Sequence, residues 1–387
     1  MEEELIPGLS NDVAMDCLIK VPHSYHSSLR AVCHDWRSQT TSPSFYRHRR
    51  LSCVAEPLIC LIQSHTKELT SSGKSKNWTP TSTYGLTLYN CLTGAWHRHP
   101  AITVPIFAQC IAIGDKIILL GGWDSTTLDA ICDVHIVDVI TGECWRGKSM
   151  LTPRSFFACA VVGSLLYVAG GHDNQKNALK TAEVYDLVAD EWRQLPPMLE
   201  ERDECQGVTI GGKFLVISGY DTDNQGIFRR GGECYDPVNG NWEKQDDRLW
   251  GDSNDDDINV SSSIHSPRSV CFVLPKASDA DEEEEKIWHL ECSERGRSMR
   301  EYDQKQRRWR VVADIPANLS SSPFVSVFRN SNASAGDDGV AKLFVVGSDG
   351  EKKHKSWMMN TVTKKWVELH FPNEFSGFAY SPAALCV

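Results

Sequence analysis

The chain has 387 residues and carries 40 Lys and Arg against 51 Asp and Glu, which gives a net charge of −11 at pH 7. A chain this acidic, without clustered basic residues, is a poor binder of polyanions, so nucleic acid is not an expected partner. The 14 cysteines contain no C-x-x-C pair, the chain starts Met-Glu-Glu-Glu, and no apolar run could cross a bilayer. We therefore expect a cytoplasmic or nuclear protein without a membrane span.

Residues 1–50 have the spacing of short amphipathic helices. Ser10 or Asn11 can cap the first helix, and Pro22 ends it. The apolar positions of the three predicted helices are Val13, Ala14, Cys17 and Leu18; then Leu29, Val32, Cys33 and Trp36; and finally Phe45 with Tyr46. A segment of this size buries little surface alone, so we expect it to pack on the following domain or on a partner.

The same segment contains Leu5-Ile6-Pro7-Gly8-Leu9 and, further along, Val32-Cys33-His34-Asp35-Trp36-Arg37. This pattern resembles the F-box of plant F-box/kelch-repeat proteins, although Ser10 stands where relatives commonly have a second Pro. The resemblance implies binding to an Skp-type adaptor, which is itself held by a cullin scaffold. The residues implied in adaptor binding are Leu5, Ile6, Pro7, Leu9, Val13, Leu18, Leu29, Val32 and Trp36. The alternative is a packing subdomain whose apolar stripe only covers an edge of the next domain.

Residues 51–387 contain a repeat marked by tryptophan, at Trp96, Trp145, Trp192, Trp242, Trp309 and Trp366. The interval is close to the ~50 residues of a kelch repeat. In the best copy, Gly163-Ser164 joins two apolar strands, and Gly170-Gly171 ends the second where backbones crowd. The predicted fold class is therefore mainly β, a six-bladed kelch-type β-propeller preceded by a small α-helical F-box.

The first blade lacks an innermost strand, and the last ten residues, 378–387, have the pattern of a strand. We expect them to complete the first blade and close the ring, which leaves no open sheet edge. Two acidic inserts, 246–266 and 278–285, lengthen the later repeats. Their composition predicts solvated loops, and the alternative is an acidic arm that steers a basic target.

The chain shows no motif for a phosphate loop, a nucleophile elbow or a zinc protease. The single H-x-H, His97-Arg98-His99, has no third ligand near it in the sequence. We expect no catalytic residue, no metal and no cofactor.

The loops at one face of the ring combine aromatic and arginine residues, a composition typical of protein interaction hot spots. The predicted target-binding residues are Trp123, Asp124, Arg154, Phe156, His172, Asp173, Arg202, Asp203, Tyr220, Arg229 and Arg230. For Arg154 and Arg202, which are equivalent in the repeat, the alternative is a role in bracing blades through local carboxylates.

The resemblance implies that this chain is the substrate-recognition subunit of an SCF-type ubiquitin ligase, and not itself an enzyme. The target expected from similar proteins is an enzyme of phenylpropanoid or flavonoid biosynthesis, or alternatively a hormone-response regulator. A non-ligase kelch scaffold and a small-molecule-binding propeller are the other candidate functions.

Overall fold

The computed structural model describes residues 4–65, 83–100, 102–245, 249–250, 262–263, 266–268, 270–275, 285–293, 296–329, 340–351, 353–370 and 372–387. The α-helices lie at the amino-terminal end. They are α1 Asn11–Leu18, α2 His26–Val32, α3 His34–Thr41 and α4 Pro43–Leu51, and short 3₁₀ helices cover His23–Tyr25, Thr222–Asn224 and Asn373–Phe375.

Strands make up most of the remaining chain. They are β1 Pro57–His65, β2 Thr83–Asn90, β3 Trp96–Arg98, β4 Gln109–Ile113, β5 Lys116–Leu120, β6 Val134–Asp138, β7 Cys144–Gly147, β8 Ala158–Val162, β9 Leu165–Ala169, β10 Ala182–Asp186, β11 Glu191–Leu195, β12 Gln206–Ile210, β13 Lys213–Ile217, β14 Phe228–Arg229, β15 Gly232–Asp236, β16 Asn241–Lys244, β17 Ser262–Ser263, β18 Cys271–Leu274, β19 Lys286–Ser293, β20 Gly296–Asp303, β21 Arg308–Asp314, β22 Ser321–Arg329, β23 Ala341–Ser348, β24 His354–Asn360, β25 Trp366–Leu369 and β26 Ala379–Cys386.

Over the described residues these strands form six antiparallel four-stranded sheets, the blades. Their strand orders are β26-β1-β2-β3, β4-β5-β6-β7, β8-β9-β10-β11, β12-β13-β15-β16, β18-β19-β20-β21 and β22-β23-β24-β25, here called blades 1 to 6. The first strand of each blade contacts the first strands of both neighbouring blades, so the inner strands form a closed ring. The predicted mainly β fold, a six-bladed propeller after a few helices, is confirmed.

Blade 1 is built from both ends of the propeller sequence. β26 pairs with β1 in antiparallel register from Pro57 opposite Cys386 to Gln63 opposite Ala379. Two further hydrogen bonds join the backbones of Glu56 and Val387. The innermost strand of blade 1 thus comes from the end of the chain, and β26 also contacts β22 and β4, the inner strands of the two neighbouring blades.

The repeated tryptophans lie on the outer strands and tie neighbouring blades together. The indole N–H of Trp192 donates to the Lys148 carbonyl at 2.8 Å, and that of Trp242 donates to the Pro196 carbonyl at 2.8 Å. Trp96 and Trp366 make the equivalent bond. Trp145 departs from the pattern because its side chain is 41% exposed, so it supplies little surface between blades.

The double glycine of blade 3 lies where two backbones approach each other. Gly170 and Gly171 have φ values of 69° and 81°, which side chains rarely tolerate. A Cβ on Gly171 would lie 2.3 Å from the Ser155 carbonyl oxygen. Glycine is therefore required here both by conformation and by space.

The second predicted helix is in fact two helices, which corrects the expectation of one continuous run from Leu29 to Trp36. Cys33 is extended, with φ −156° and ψ 173°, and separates α2 from α3. Its Sγ accepts a hydrogen bond from the Trp36 backbone N–H, so Cys33 acts as the N-cap of α3. At α1, Ser10 is the N-cap residue, but its side chain makes no capping hydrogen bond.

The first acidic insert contains two buried residues, which corrects the expectation that all of it is a solvated loop. Leu249 and Trp250 are 3% and 2% exposed and belong to the core cluster between blades 4 and 5. β17 pairs with β14, a short strand in the loop between β13 and β15. The acidic residues between Trp250 and β17 lie outside the described residues, as does nearly all of insert 278–285.

Helices and propeller share one hydrophobic cluster and a buried polar junction. Leu18, Ile19, Phe45 and Tyr46 pack in the same cluster as propeller residues such as Ile140. The Arg49 guanidinium donates to the Glu56 carboxylate at 2.8 Å, and both side chains are more than 90% buried.

Glu56 is the centre of the junction because it also accepts hydrogen bonds from other elements. These come from the His23 backbone N–H at 2.6 Å and from Asn90 Nδ2 on β2 at 2.5 Å. Arg49 donates as well to the carbonyls of Ile19, Val21 and Val54. One ion pair therefore links α4, the α1–α2 connection and blade 1.

The helical segment contains a buried histidine. The His26 ring has no exposed surface and contacts the Tyr46 hydroxyl at 2.9 Å and the Val21 carbonyl at 3.0 Å. Burial, followed by the nearby His23 and Arg49, lowers the pKa of His26 to about 3. Unfolding returns it to about 6.5, so the unfolded chain binds more protons below pH 6.5.

We expect the free energy of unfolding to fall as pH drops below 6.5, by about 1.4 kcal/mol per pH unit from His26 alone. Urea unfolding at pH 7.5 and pH 5.5 measures this. His26→Gln provides the comparison, because it removes the titration of His26 and keeps the other histidines. The free energy of unfolding of this variant should fall with pH by about 1.4 kcal/mol per pH unit less than that of the unmodified chain. An equal pH dependence in both proteins would contradict a buried neutral His26.

Candidate functional site

The helical segment and the predicted target-binding loops lie at opposite ends of the strands. His23 Nε2 contacts the Val139 carbonyl at 3.1 Å, in the turn that follows β6. Trp123 and Asp124 lie in the loop that precedes β6. A five-residue strand is about 17 Å long. The helices therefore occupy one face of the propeller at blades 1 and 2, and the loops that hold the predicted target-binding residues occupy the other face.

The helical surface is divided into a packed side and an exposed side. Of the predicted adaptor residues, Pro7, Val13 and Val32 are exposed, Leu5, Ile6, Leu9, Leu29 and Trp36 are partly buried, and Leu18 is buried. Leu18 packs into the junction with the propeller, so its predicted contact with an adaptor is corrected. Sequence reasoning left out Tyr25 and Leu51, which are 60% and 77% exposed.

Arg154 and Arg202 do not lie on the surface, which corrects their predicted contact with a target. Arg154 is completely buried and donates to Glu183 at 2.6 Å, and Arg202 is 2% exposed and donates to Glu233 at 3.0 Å. Each guanidinium also binds backbone carbonyls of the following blade. These arginines brace the blades, as the alternative interpretation held.

Three predicted residues instead form a hydrogen-bonded belt across blades 2, 3 and 4. His172 Nδ1 lies 2.9 Å from the Asp203 carboxylate, and the Trp123 indole N–H donates to His172 Nε2 at 3.2 Å. Because an indole N–H can only donate, Nε2 accepts and the imidazole proton lies on Nδ1, where it bonds Asp203. His172 and Asp203 are both 3% exposed, so they hold Trp123 in place and do not themselves face a partner.

The other predicted residues of this face have local partners. Asp124 and Asp173 accept hydrogen bonds from backbone N–H groups of their own turns. Turn N–H donors lower the pKa of Asp124. Arg229 pairs with Asp221 at 2.6 Å and with Glu200 at 3.0 Å. Asp124, Asp173 and Arg229 are each at least partly exposed, as are Tyr220 and Arg230.

Phe156 belongs to an aromatic cluster at the mouth of the central channel. Its ring centroid lies 5.0 Å from that of Phe107 and 5.4 Å from that of Trp123. Tyr380 extends the cluster, with its hydroxyl accepting from the Phe107 N–H at 2.8 Å. Below this mouth the inner strands line a cavity of about 390 Å³.

Sequence reasoning missed Phe107 and Tyr380. Phe107 and Phe156 each lie two residues before an inner strand, β4 or β8, and each has a left-handed backbone, with φ values of 59° and 57°. Glu204 occupies the same position before β12, with φ 50°. The shared offset from the inner strand was the available signal. The left-handed conformation was not visible, because these residues are neither Gly nor Asn.

Comparison with known proteins places this architecture in a family. A model of the kelch motif matches residues 153–199, which contain all four strands of blade 3. Among curated proteins of Arabidopsis thaliana, F-box/kelch-repeat protein SKIP20 is 36% identical, covering 99% of this chain and 97% of that protein. F-box/kelch-repeat protein At2g44130 is 35% identical, with 99% and 96% covered. The chain belongs to the F-box/kelch-repeat family.

The similarity of this F-box/kelch-repeat protein to its relatives includes both the helices and the propeller. The predicted resemblance to plant F-box/kelch-repeat proteins is confirmed. Among its described residues, no group of three or more His, Cys, Asp or Glu side chains could hold a metal ion. His99 of the H-x-H contacts the Gly142 carbonyl at 3.2 Å. No helix in the described ranges is long and apolar enough to span a membrane.

Proposed function

We propose that this F-box/kelch-repeat protein is the substrate-recognition subunit of an SCF-type ubiquitin ligase. Its helical segment binds an Skp-type adaptor held by a cullin, and the channel-mouth face of the propeller binds a target protein. The observation that carries the proposal is the placement of two candidate binding surfaces on opposite faces of one packed unit. A separate conjugating enzyme transfers ubiquitin, and this chain contributes proximity and orientation without catalytic groups.

The exposed apolar side chains of the helices support adaptor binding. Packing against the propeller accounts for Leu18, Phe45 and Tyr46, but leaves Val13 and Val32 48% and 60% exposed. A segment that only covered a propeller edge would not need exposed apolar residues such as Val13 and Val32 on the side that faces away from the propeller. Exposed apolar residues on a small helical unit are the expected features of an interface.

The target class is proposed from the family resemblance alone. We propose an enzyme of phenylpropanoid or flavonoid biosynthesis, with a hormone-response regulator as the alternative, and a cytoplasmic or nuclear site of action. The aromatic cluster at the channel mouth supports a protein target because aromatic residues dominate interaction hot spots.

Replacing Val13 and Val32 together by Asp is expected to abolish co-purification with an Skp-type adaptor. In the complex, the two Asp carboxylates would be buried against apolar side chains of the adaptor without a cation or hydrogen-bond donor, which costs several kcal/mol of binding free energy. Co-expression of tagged chain and adaptor, followed by affinity capture, measures the loss.

The matched control is Val188→Asp with Val238→Asp, since these valines are 95% and 93% exposed on turns of the propeller. The control protein should bind adaptor as the unmodified chain does. Absence of adaptor binding by the unmodified chain, or full binding by the Val13 and Val32 variant, would refute the proposed role of the helices.

A further inference from the structure

Two cations at the channel mouth are held against aromatic rings. Lys176 Nζ lies 3.6 Å from the ring centroid of Trp123, and the Arg268 guanidinium carbon lies 3.9 Å from that of Phe156. The two rings contact each other, so both charges border one aromatic surface. Such contacts fix the position of a cation. Lys176 Nζ also contacts His172 Nε2 at 3.2 Å, which uses one of its three N–H groups.

Neither cation forms a salt bridge with a carboxylate in the part of the chain that the structure describes. The neighbouring arginines differ, since Arg154, Arg202 and Arg229 are each paired with a carboxylate. Arg268 Nε is buried and has no hydrogen-bond partner among those residues. Partial burial lowers the pKa of Lys176, and burial lowers that of Arg268.

The Asp203 and Glu204 carboxylates lie near Arg268, and both already accept hydrogen bonds. The Asp203 carboxylate contacts His172 Nδ1 at 2.9 Å and accepts from the Glu204 backbone N–H at 2.8 Å. The Glu204 carboxylate accepts from the Tyr220 hydroxyl at 3.4 Å. Arg268 Nε–H and two N–H groups of Lys176 have no hydrogen-bond acceptor among the described residues, which favours an anionic ligand over a basic one.

The aromatic surface between the cations is fixed before any ligand arrives. Phe107 and Phe156 hold left-handed backbones, which cost roughly 1–2 kcal/mol each for residues with a Cβ. The belt from Asp203 through His172 fixes Trp123. A site that retains backbone strain to present three rings is pre-organised for an apolar side chain of a ligand.

We propose that this site binds an acidic segment of a partner protein, with a carboxylate on Arg268 or Lys176 and an adjacent apolar side chain on Phe107, Trp123 and Phe156. A guanidinium presents paired N–H donors that match a carboxylate. The inference rests on the proposed target-binding function and specifies the chemistry of the segment that is recognised.

Three pools of fluorescein-labelled peptides with random flanks test the proposal by anisotropy on the full chain. Their fixed cores are Glu-Leu-Phe-Glu, Lys-Leu-Phe-Lys and Glu-Gly-Gly-Glu. The first pool is expected to bind about tenfold or more tightly than each of the others, because it alone offers both carboxylates and an apolar side chain. Equal binding of the lysine pool, or binding by no pool, would overturn the proposal.

The residues are tested by Arg268→Gln with Lys176→Gln, which should weaken binding of the first pool about tenfold or more. The matched control is Arg146→Gln with Lys353→Gln, two side chains that are 71% exposed elsewhere on the propeller, and it should bind unchanged. Thermal melting checks that both variants fold. If the Arg268→Gln, Lys176→Gln variant does not fold, the comparison of the three peptide pools on the unmodified chain decides whether the proposal holds. Unchanged binding by a folded first variant would also overturn the site. Adaptor co-purification, run in parallel, reports separately on the proposed function.

Discussion

Removal of residues 379–387 is expected to unfold the propeller. This segment supplies the whole inner strand of blade 1, and Tyr380, Leu385 and Val387 are 4%, 7% and 1% exposed. Burying side chains of this size contributes roughly 2 kcal/mol each, about 6 kcal/mol together. That loss is comparable with the roughly 5–15 kcal/mol that stabilises a typical domain. The deletion also leaves the edge of β1 unpaired and exposes the neighbouring inner strands.

Calorimetric melting and urea unfolding measure the effect. A second variant, Leu385→Asp, keeps the chain length and should lower the melting temperature strongly, because it buries a charge without a partner. Its control is Val367→Asp on the outer strand β25, where the side chain is 60% exposed and the change should have little effect. A deletion variant that melts like the unmodified chain would contradict closure of the ring by β26.

Replacement of Arg49 by Leu is expected to destabilise the chain by about 3–5 kcal/mol, because it leaves the buried Glu56 carboxylate without its cation. Glu56 also joins His23, Asn90 and Val387, so the disturbance reaches both the helices and blade 1. Urea unfolding of Arg49→Leu, Glu56→Leu and the double variant measures the coupling. The double variant should be more stable than the sum of the two single effects predicts.

An exposed ion pair provides the control for Arg49. Lys353 and Glu351 are 71% and 74% exposed, and Lys353→Leu should leave the melting temperature unchanged. Additive effects of Arg49→Leu and Glu56→Leu, within about 0.5 kcal/mol, would show that the junction is not a coupled ion pair.

This junction matters for the proposed function because a ligase receptor must hold its target in a fixed position relative to the adaptor. A flexible connection would reduce the effective concentration of the target at the conjugating enzyme. The buried Arg49–Glu56 pair and the shared hydrophobic cluster instead fix α4 on blade 1.

The propeller could be predicted from sequence because its signals are local and repeated. Tryptophan on each outer strand, and turns such as Gly163-Ser164, reflect packing and backbone geometry that every blade needs. The break at Cys33 could not be predicted from spacing, because the apolar positions on both sides of it fit one helix. Composition places Leu249 and Trp250 in a loop, because the acidic residues that follow them dominate the insert.

The binding face was harder to predict because exposure depends on long-range pairing. Arg154 and Arg202 have the composition of hot-spot residues, but Glu183 and Glu233, 29 and 31 residues further along, bury them in ion pairs. A glutamate at a similar distance after each arginine, 29 or 31 residues, is the sequence signal that distinguishes an arginine that braces two blades from one that contacts a partner. The channel mouth could not be assembled from sequence, since Tyr380 and Phe107 are 273 residues apart and meet only when the ring closes.

The most direct test of the receptor function is affinity capture from plant cells with the proteasome blocked, comparing three proteins: the unmodified chain, Val13→Asp with Val32→Asp, and Arg268→Gln with Lys176→Gln. We predict a set of proteins that the first two capture and the third does not, and that carry ubiquitin only when captured by the unmodified chain. Ubiquitination that is independent of Val13 and Val32, or no ubiquitinated protein with the unmodified chain, would contradict the proposed role as a ligase receptor.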